Sequence, residues 1–154
     1  MSPTMRRAGL TAALVVVIGV ATVGVAPGHE KTYKLKPKPT IHYTNDDARV
    51  GDPVDFFSGD LIYKKRVTGG QHCLDDRTVR VFRLGSPIVK IGETQTADDG
   101  TWKLEAEDVA DGDYRATALK KFVKVTIPPG PGIGGHIHKF RCLPARSGEI
   151  HAGP

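Results

Sequence analysis

A strict alternation of polar and apolar residues between positions 93 and 119 limits how this chain can fold. The stretch reads ETQTADDGTWKLEAEDVADGDYRATAL, and RTVRVFRL before it shows the same rhythm. A period of two places successive side chains on opposite faces of a strand, so that one face is buried and the other solvated. The pattern therefore predicts half-buried β-strands. Their predicted core positions are Val79, Val81, Trp102, Leu104, Tyr114 and Ala116.

Two Asp-Gly pairs interrupt this alternation. Asp99 and Gly100 end the sequence ADDG, and Gly112 follows a second aspartate. An aspartate side chain bonds its own backbone in a tight turn, and glycine accepts a positive φ angle there. Both pairs predict turns between strands. Because no segment after residue 30 shows a helical period, we predict an all-β fold.

The N-terminal segment is typical of an export signal. Arg6 and Arg7 precede an uncharged apolar run at 8–25, and small residues follow it. This order predicts a signal peptide at 1–26, cleaved after Ala21 or Ala26, and a secreted or cell-surface protein. An uncleaved membrane anchor is the alternative, since a run of 18 residues is at the lower limit for a bilayer span. After cleavage we expect no membrane span.

Export determines how the two cysteines are interpreted. Cys73 and Cys142 are the only cysteines of the chain, and they show no metal-binding spacing. An even pair in an oxidising compartment predicts a disulfide. The bridge would close a loop of about 70 residues, which the chain-entropy model values on the order of 4 kcal/mol.

The composition of the ends sets the predicted domain bounds. Residues 27–40 contain KTYKLKPKPT, whose lysines and prolines predict a basic, extended and solvated linker. The β-domain follows at 41–146, and a flexible tail at 147–154. The net charge of +5 falls by two to +3 without Arg6 and Arg7. The lysine-rich tail could rest on an anionic cell-surface polymer, although a short charge run more often serves only to keep a chain soluble. No basic patch interleaved with aromatic residues indicates nucleic acid.

Three segments at 77–119 together resemble a known family. RTVRVFR, ETQTADDGTWKL and VADGDYRATAL are similar to the core of carboxypeptidase regulatory-like, transthyretin-like (prealbumin-type) domains. The resemblance implies a single seven-stranded antiparallel Greek-key sandwich that acts as an extracellular accessory module, without catalytic residues. An immunoglobulin-like sandwich is the second choice. In either fold the hydroxyl of Tyr114 would hold a corner to upstream backbone.

Two function hypotheses follow. The first is a non-catalytic module, with no cofactor, that binds an extracellular protein, a glycan or an envelope component. Its loops at 66–76 and 128–135 would be the recognition surface, because loops on a rigid scaffold commonly carry function. The alternative is a small extracellular metal-binding or hydrolytic protein centred on His136 and His138. These two residues share one side of a strand, although a stable zinc site needs three or four ligands.

The predicted disulfide gives the first test. Reduction, or the substitution Cys73→Ala, is expected to lower the free energy of unfolding by about 2–5 kcal/mol, as is typical of small secreted domains. Thermal unfolding with and without reductant measures the change. Titration of two free thiols in the native protein would show that the bridge does not exist.

Overall fold

The structure is a computed structural model that describes residues 29–46, 54–107, 109–131 and 134–153, so the predicted signal peptide lies outside it. Within these residues the chain forms β-strands and one 3-10 turn at Gly70–Cys73, with no α-helix. The strands are β1 Glu30–Leu35, β2 Lys38–Pro39, β3 His42–Asp46, β4 Val54–Ile62, β5 Thr78–Arg83, β6 Val89–Gln95, β7 Thr101–Ala106, β8 Gly112–Ala118, β9 Lys121–Ile127, β10 His136–Cys142 and β11 Ala145–Ala152. The prediction of an all-β chain is confirmed.

The strands form three sheets. One has the order β11-β8-β5-β6, and the smallest has the order β1-β10-β9. In the third sheet β4 lies in the middle and pairs with β7 along one edge. Along its other edge it pairs with β2 and then β3 in one continuous antiparallel register, in which Lys38 pairs with Ile62 and His42 with Ser58. Every pairing is antiparallel except that of β1 with β10. None of the sheets closes into a barrel, and the arrangement is consistent with a β-sandwich.

One hydrophobic core lies between the two larger sheets. Phe57 and Trp102 reach it from β4 and β7, while Val79, Val81 and Tyr114 reach it from β5 and β8. The alternation in these strands places their apolar side chains inward. All six predicted core residues are found here. Five are buried, and Leu104 packs against the cluster from a half-buried position.

The predicted turns are also found. The carboxylate of Asp99 accepts hydrogen bonds from the backbone N–H of Thr101 at 2.9 Å and from its hydroxyl at 2.7 Å. Gly100 has a φ of +90°, and Gly112 one of +152°. A Cβ atom on Gly100 would lie 2.9 Å from the carbonyl oxygen of Leu61. Glycine is therefore required there both by the backbone angle and by the close approach.

Both predicted ends of the domain are corrected by the structure. The expected solvated linker at 27–40 contains β1 and β2, and the expected flexible tail at 147–154 lies largely in β11. The described residues contain eleven strand segments, where the family resemblance implied a seven-stranded domain. The physical reason is pairing over a long sequence distance. β1 bonds to β10 and β11 bonds to β8, so the backbone groups of both ends are satisfied within sheets.

The smallest sheet is attached to the rest of the fold by a disulfide. Cys73 in the 3-10 turn is bonded to Cys142 at the end of β10, with the two Cα atoms 5.4 Å apart. Both sulfurs lie in a second core with Leu35 and Phe140. The predicted bridge is therefore present, and it links the sandwich-like part to a sheet that the sequence did not reveal.

A buried arginine holds the same junction. Arg77 is only 1% exposed, and its guanidinium donates hydrogen bonds to the carbonyl oxygens of Cys73, Leu119 and Leu143. Leu119 leads from β8 into β9, and Leu143 leads from β10 into β11. One side chain thus fixes the points where the chain enters β9 from β8 and leaves β10 for β11. Burial lowers the pKa of Arg77 and raises that of nearby Tyr63 to about 12.

The Arg77 contacts predict a large stability effect. The substitution Arg77→Met is expected to lower the free energy of unfolding by about 3 kcal/mol, because it leaves buried carbonyl groups without donors. Denaturant unfolding measures the loss. Arg80→Met removes a partly exposed arginine on the same strand that pairs with Glu93, and its expected cost is below about 1 kcal/mol. Equal effects of the two substitutions would contradict the assigned role of Arg77.

Candidate functional site

The candidate functional site is the sheet β1-β10-β9, which presents two chemically different faces. Alternate residues of its strands turn inward, toward the core around the disulfide, or outward, toward solvent. The inward positions of β10 are occupied by His136, His138, Phe140 and Cys142. The outward positions carry charged side chains. The two faces are described in turn.

The outward face is a cluster of cations around one exposed ring. We call it the basic face and define it as Lys34, Phe122, Lys124, Lys139 and Arg141. Register brings its members together, since Lys139 pairs with Lys124 and Arg141 pairs with both Lys34 and Phe122. Phe122 is 63% exposed. The guanidinium of Arg141 lies 5.4 Å from the centre of the Phe122 ring, a cation–π contact.

A shallow cleft of about 370 Å³ lies on this face. Among the residues that line it, the carboxylate of Glu30 pairs with the ammonium of Lys139 at 2.7 Å. That single carboxylate faces the four cations of the basic face, so the surface keeps an excess of positive charge. Both members of the ion pair are about half exposed, so the pair contributes little to stability.

The inward face carries stacked imidazole rings. We call His29, His136 and His138 the imidazole row. The rings of His29 and His136 are stacked, with their centres 4.8 Å apart and their planes at 9°, and His136 lies 4.8 Å from His138. The rings of His138 and Tyr33 make an edge-to-face contact, with their centres 5.4 Å apart. The parallel pairing of β1 with β10 brings His29 to this place.

The imidazole row is the predicted candidate metal centre with one addition. His136 and His138 do share a face of one strand, and His29 is a third imidazole that the spacing of the sequence did not place there. Even so, the described residues contain no group of three or more His, Cys, Asp or Glu side chains that could hold a metal ion. The ring of His136 stacks on that of His29 and contacts the tilted ring of His138, and its imidazole contacts the carbonyl oxygen of Gly134 at 3.3 Å.

The neighbours of His138 shift its pKa. Burial, followed by the nearby His136, His29 and Lys31, holds the pKa of His138 below its ordinary value. These neighbours are all cations or groups that become cations in acid. Positive charge close to the ring of His138 favours its neutral form.

A second histidine has the opposite environment. The ring nitrogens of His151 on β11 lie 3.0 Å from a carboxylate oxygen of Asp113 and 3.0 Å from one of Asp111. The hydrogen bond with Asp113 and the charge of Asp111 raise the pKa of His151. These contacts hold the last strand to the start of β8. They were not predicted from the sequence, because residues 147–154 were expected to form a flexible tail.

The two loops expected to carry recognition have different structural roles. The segment at 66–76 contains the 3-10 turn and Cys73, so the disulfide fixes it against β10. The segment at 128–135 connects β9 to β10, and its residues 132 and 133 lie outside the described part of the chain. The sequence interpretation did not group the cations of the basic face into one site. The pattern that could have indicated them is the alternation that places Lys139 and Arg141 on one side of the strand HIHKFRC.

No family model, curated protein or solved structure matches the chain. Among the described residues, no helix is long and apolar enough to cross a membrane. The two faces of the sheet β1-β10-β9 are therefore the basis for inferring a function.

The two histidines predict opposite effects of pH on stability. The lowered pKa of His138 means that the unfolded chain takes up protons first as the pH falls below about 6.5, so acid destabilises the fold through this residue. The raised pKa of His151 gives a contribution that is present below about pH 6.5 and lost as the pH rises through its folded pKa.

Substitution separates the two effects. We expect His151→Gln to lower the thermal midpoint near about pH 5.5 and to have little effect near about pH 9. We expect His138→Gln to reduce the loss of stability in acid. His42→Gln, an exposed histidine on β3, is the control. The same pH profile for all three variants would contradict these assignments.

Proposed function

We propose that this protein is a non-catalytic extracellular binding module whose basic face holds an acidic polysaccharide. The observation that carries the proposal is the basic face itself, where Lys34, Lys124, Lys139 and Arg141 surround the exposed ring of Phe122. Adjacent strands are about 4.8 Å apart and alternate residues of one strand about 6.6 Å. The cations are thus spread over a surface rather than focused on one point, which suits a polymer with repeated negative charges.

The chemistry of the face favours a glycan over the other macromolecules. Protein interfaces have a central region depleted of charged residues, whereas charges occupy the middle of this face. Single-stranded nucleic acid is held by several aromatic rings that stack on successive bases. Among the described residues of this face, Phe122 is the only exposed aromatic ring. One ring can pack on the apolar side of one sugar while the surrounding cations pair with carboxylates.

The polar groups that resemble catalytic residues have structural partners, which supports the non-catalytic part of the proposal. Asp99 holds a turn. The hydroxyl of Ser147 accepts a hydrogen bond from the backbone N–H of Ala116 at 2.9 Å and donates one to the carbonyl oxygen of Gly148 at 2.6 Å. The ring of His136 stacks on that of His29 and contacts the tilted ring of His138, which in turn makes an edge-to-face contact with Tyr33.

The scaffold part of the proposal is a Greek-key sandwich. If β2 and β3 count as one interrupted edge strand, the larger sheets contain seven strands, with β4 and β7 in one sheet and β5, β6, β8 and β11 in the other. This division supports the immunoglobulin-like alternative, with β6 in the place where variable-type domains add a strand. The hydroxyl of Tyr114 donates to the carbonyl oxygen of Ala110, the tyrosine corner of that fold.

The location outside the cell is proposed on two grounds. The first 26 residues have the order of charge, apolar run and small residues of an export signal. The disulfide between Cys73 and Cys142 is typical of an oxidising compartment.

Removal of charge from the basic face tests the proposal. The triple variant Lys124→Gln, Lys139→Gln, Arg141→Gln is expected to bind polygalacturonate about tenfold more weakly, since each exposed ion pair contributes up to about 1 kcal/mol. Calorimetry at low salt measures the dissociation constant. The dependence of affinity on salt should become shallower in the variant, because fewer counterions are displaced.

The matched control removes three cations from the larger sheets. Lys90→Gln, Lys103→Gln, Arg115→Gln changes the net charge equally, and each of these residues pairs with a carboxylate. Its affinity should stay within about twofold of the unaltered protein, because distant exposed charges are screened by salt. An equal loss in both triple variants, no binding of polygalacturonate, or tighter binding of single-stranded DNA would contradict the proposal. Stoichiometric zinc or copper in the purified protein would support the metal-binding alternative.

A further inference from the structure

Exposed and buried residues alternate strictly at 34–39, beside the basic face. The exposed residues, which we call the lysine row, are Lys34, Lys36 and Lys38. The buried residues are Leu35, Pro37 and Pro39. In an extended chain, alternate side chains leave opposite sides of the backbone. The three ammonium groups therefore point to the same, solvated side.

The lysine row is held in place along its length. At one end β1 pairs with β10, and the carbonyl oxygen of Leu35 accepts the backbone N–H of Leu143 at 2.8 Å. At the other end Lys38 and Pro39 pair with β4. Each proline fixes its own φ angle. This segment therefore differs from a flexible basic tail, because its cations stay at intervals of about 6.6 Å without a ligand.

The lysine row ends in a second cleft. This cleft, of about 570 Å³, lies where the segment passes β8 and β11, and we call it the basic cleft. Its charged lining residues are Lys36, Lys38 and Arg146, and none of its lining residues carries a carboxylate. Thr117 and Pro144 supply a neutral wall. An unoccupied group of three cations repels itself, so an anion is the ligand that the cleft favours.

The row connects the basic cleft with the basic face. Lys34 belongs to both surfaces, since its Cα pairs with that of Arg141 on β10. The path from Lys139 through Arg141 and Lys34 to Lys38 follows strand geometry over about 20 Å. The described residues thus place a continuous line of cations from one cleft to the other.

We propose that the basic cleft is a second subsite for the same linear acidic polysaccharide, which runs from the basic face along the lysine row into the cleft. The inference rests on the proposed function, and it adds that the ligand is a long chain rather than a short acidic sugar. Binding is then bivalent within one molecule, because the second contact is made at the high effective concentration set by the first. The fixed lysine row lowers the ordering cost of that second contact.

The dependence of affinity on ligand length tests the inference. The probes are oligogalacturonates shorter than about 10 Å and longer than about 20 Å, lengths set by the strand path between the clefts. The triple variant Lys36→Gln, Lys38→Gln, Arg146→Gln should bind the long probe about tenfold more weakly, and the short probe with unchanged affinity. The basic-face triple variant should lose affinity for both probes. The Lys90, Lys103 and Arg115 control should change neither.

A second measurement does not depend on variants. In the unaltered protein, the long probe should protect Lys36 and Lys38 from acetylation in solution, and the short probe should leave them reactive. Wild-type affinity of the cleft variant for the long probe, together with unprotected lysines, would overturn the inference while leaving the proposed function intact. Loss of short-probe binding in the cleft variant would also overturn it. Absence of binding by either probe to the unaltered protein would overturn both proposals.

Discussion

The attachment of the smallest sheet depends on the buried guanidinium of Arg77. It bonds the carbonyl oxygens of Leu119 and Leu143, where the chain leaves one larger sheet and later returns to it, and also that of Cys73. Each of these carbonyl groups lies in a connection, outside the ladders of the sheets, and would otherwise need another donor. The disulfide crosses the same junction. The guanidinium of Arg77 and the disulfide therefore together fix the smallest sheet against the larger sheets.

In this fixed sheet, β1 contributes residues to both faces. β1 pairs with β10 along one edge, and this parallel pairing determines which of its residues lie on each face. Inward, it stacks His29 on His136 and Tyr33 on Phe140. Outward, the same register sets Lys34 beside Arg141. The pairing of β1 with β10 therefore positions both His29 of the imidazole row and the first cation of the lysine row.

The sequence predicted the elements whose signal is local. Alternation and Asp-Gly turns identified the strands around Val79, Trp102 and Tyr114, because period two and turn chemistry act over a few residues. The ends were mistaken for the opposite reason. Lysines and prolines at 31–40 have the composition of a linker, and they are ordered by pairing with β10, about a hundred residues away, and with β4. For the same reason, the sequence did not show that His29 lies beside His136. The role of Arg77 could not be predicted either, because it depends on contacts with connections that no local sequence pattern identifies.

The feature that misled the sequence interpretation would also make the proposed binding surface selective. In a solvated tail, each lysine would have to lose its conformational freedom on binding, and any polyanion could gather the chain around itself. Here Leu35, Pro37 and Pro39 are buried, so the backbone has lost that freedom on folding. The cations are then presented at strand spacing in one direction only. A ligand whose charges do not follow that direction contacts one cleft or the other, whereas an extended chain contacts both.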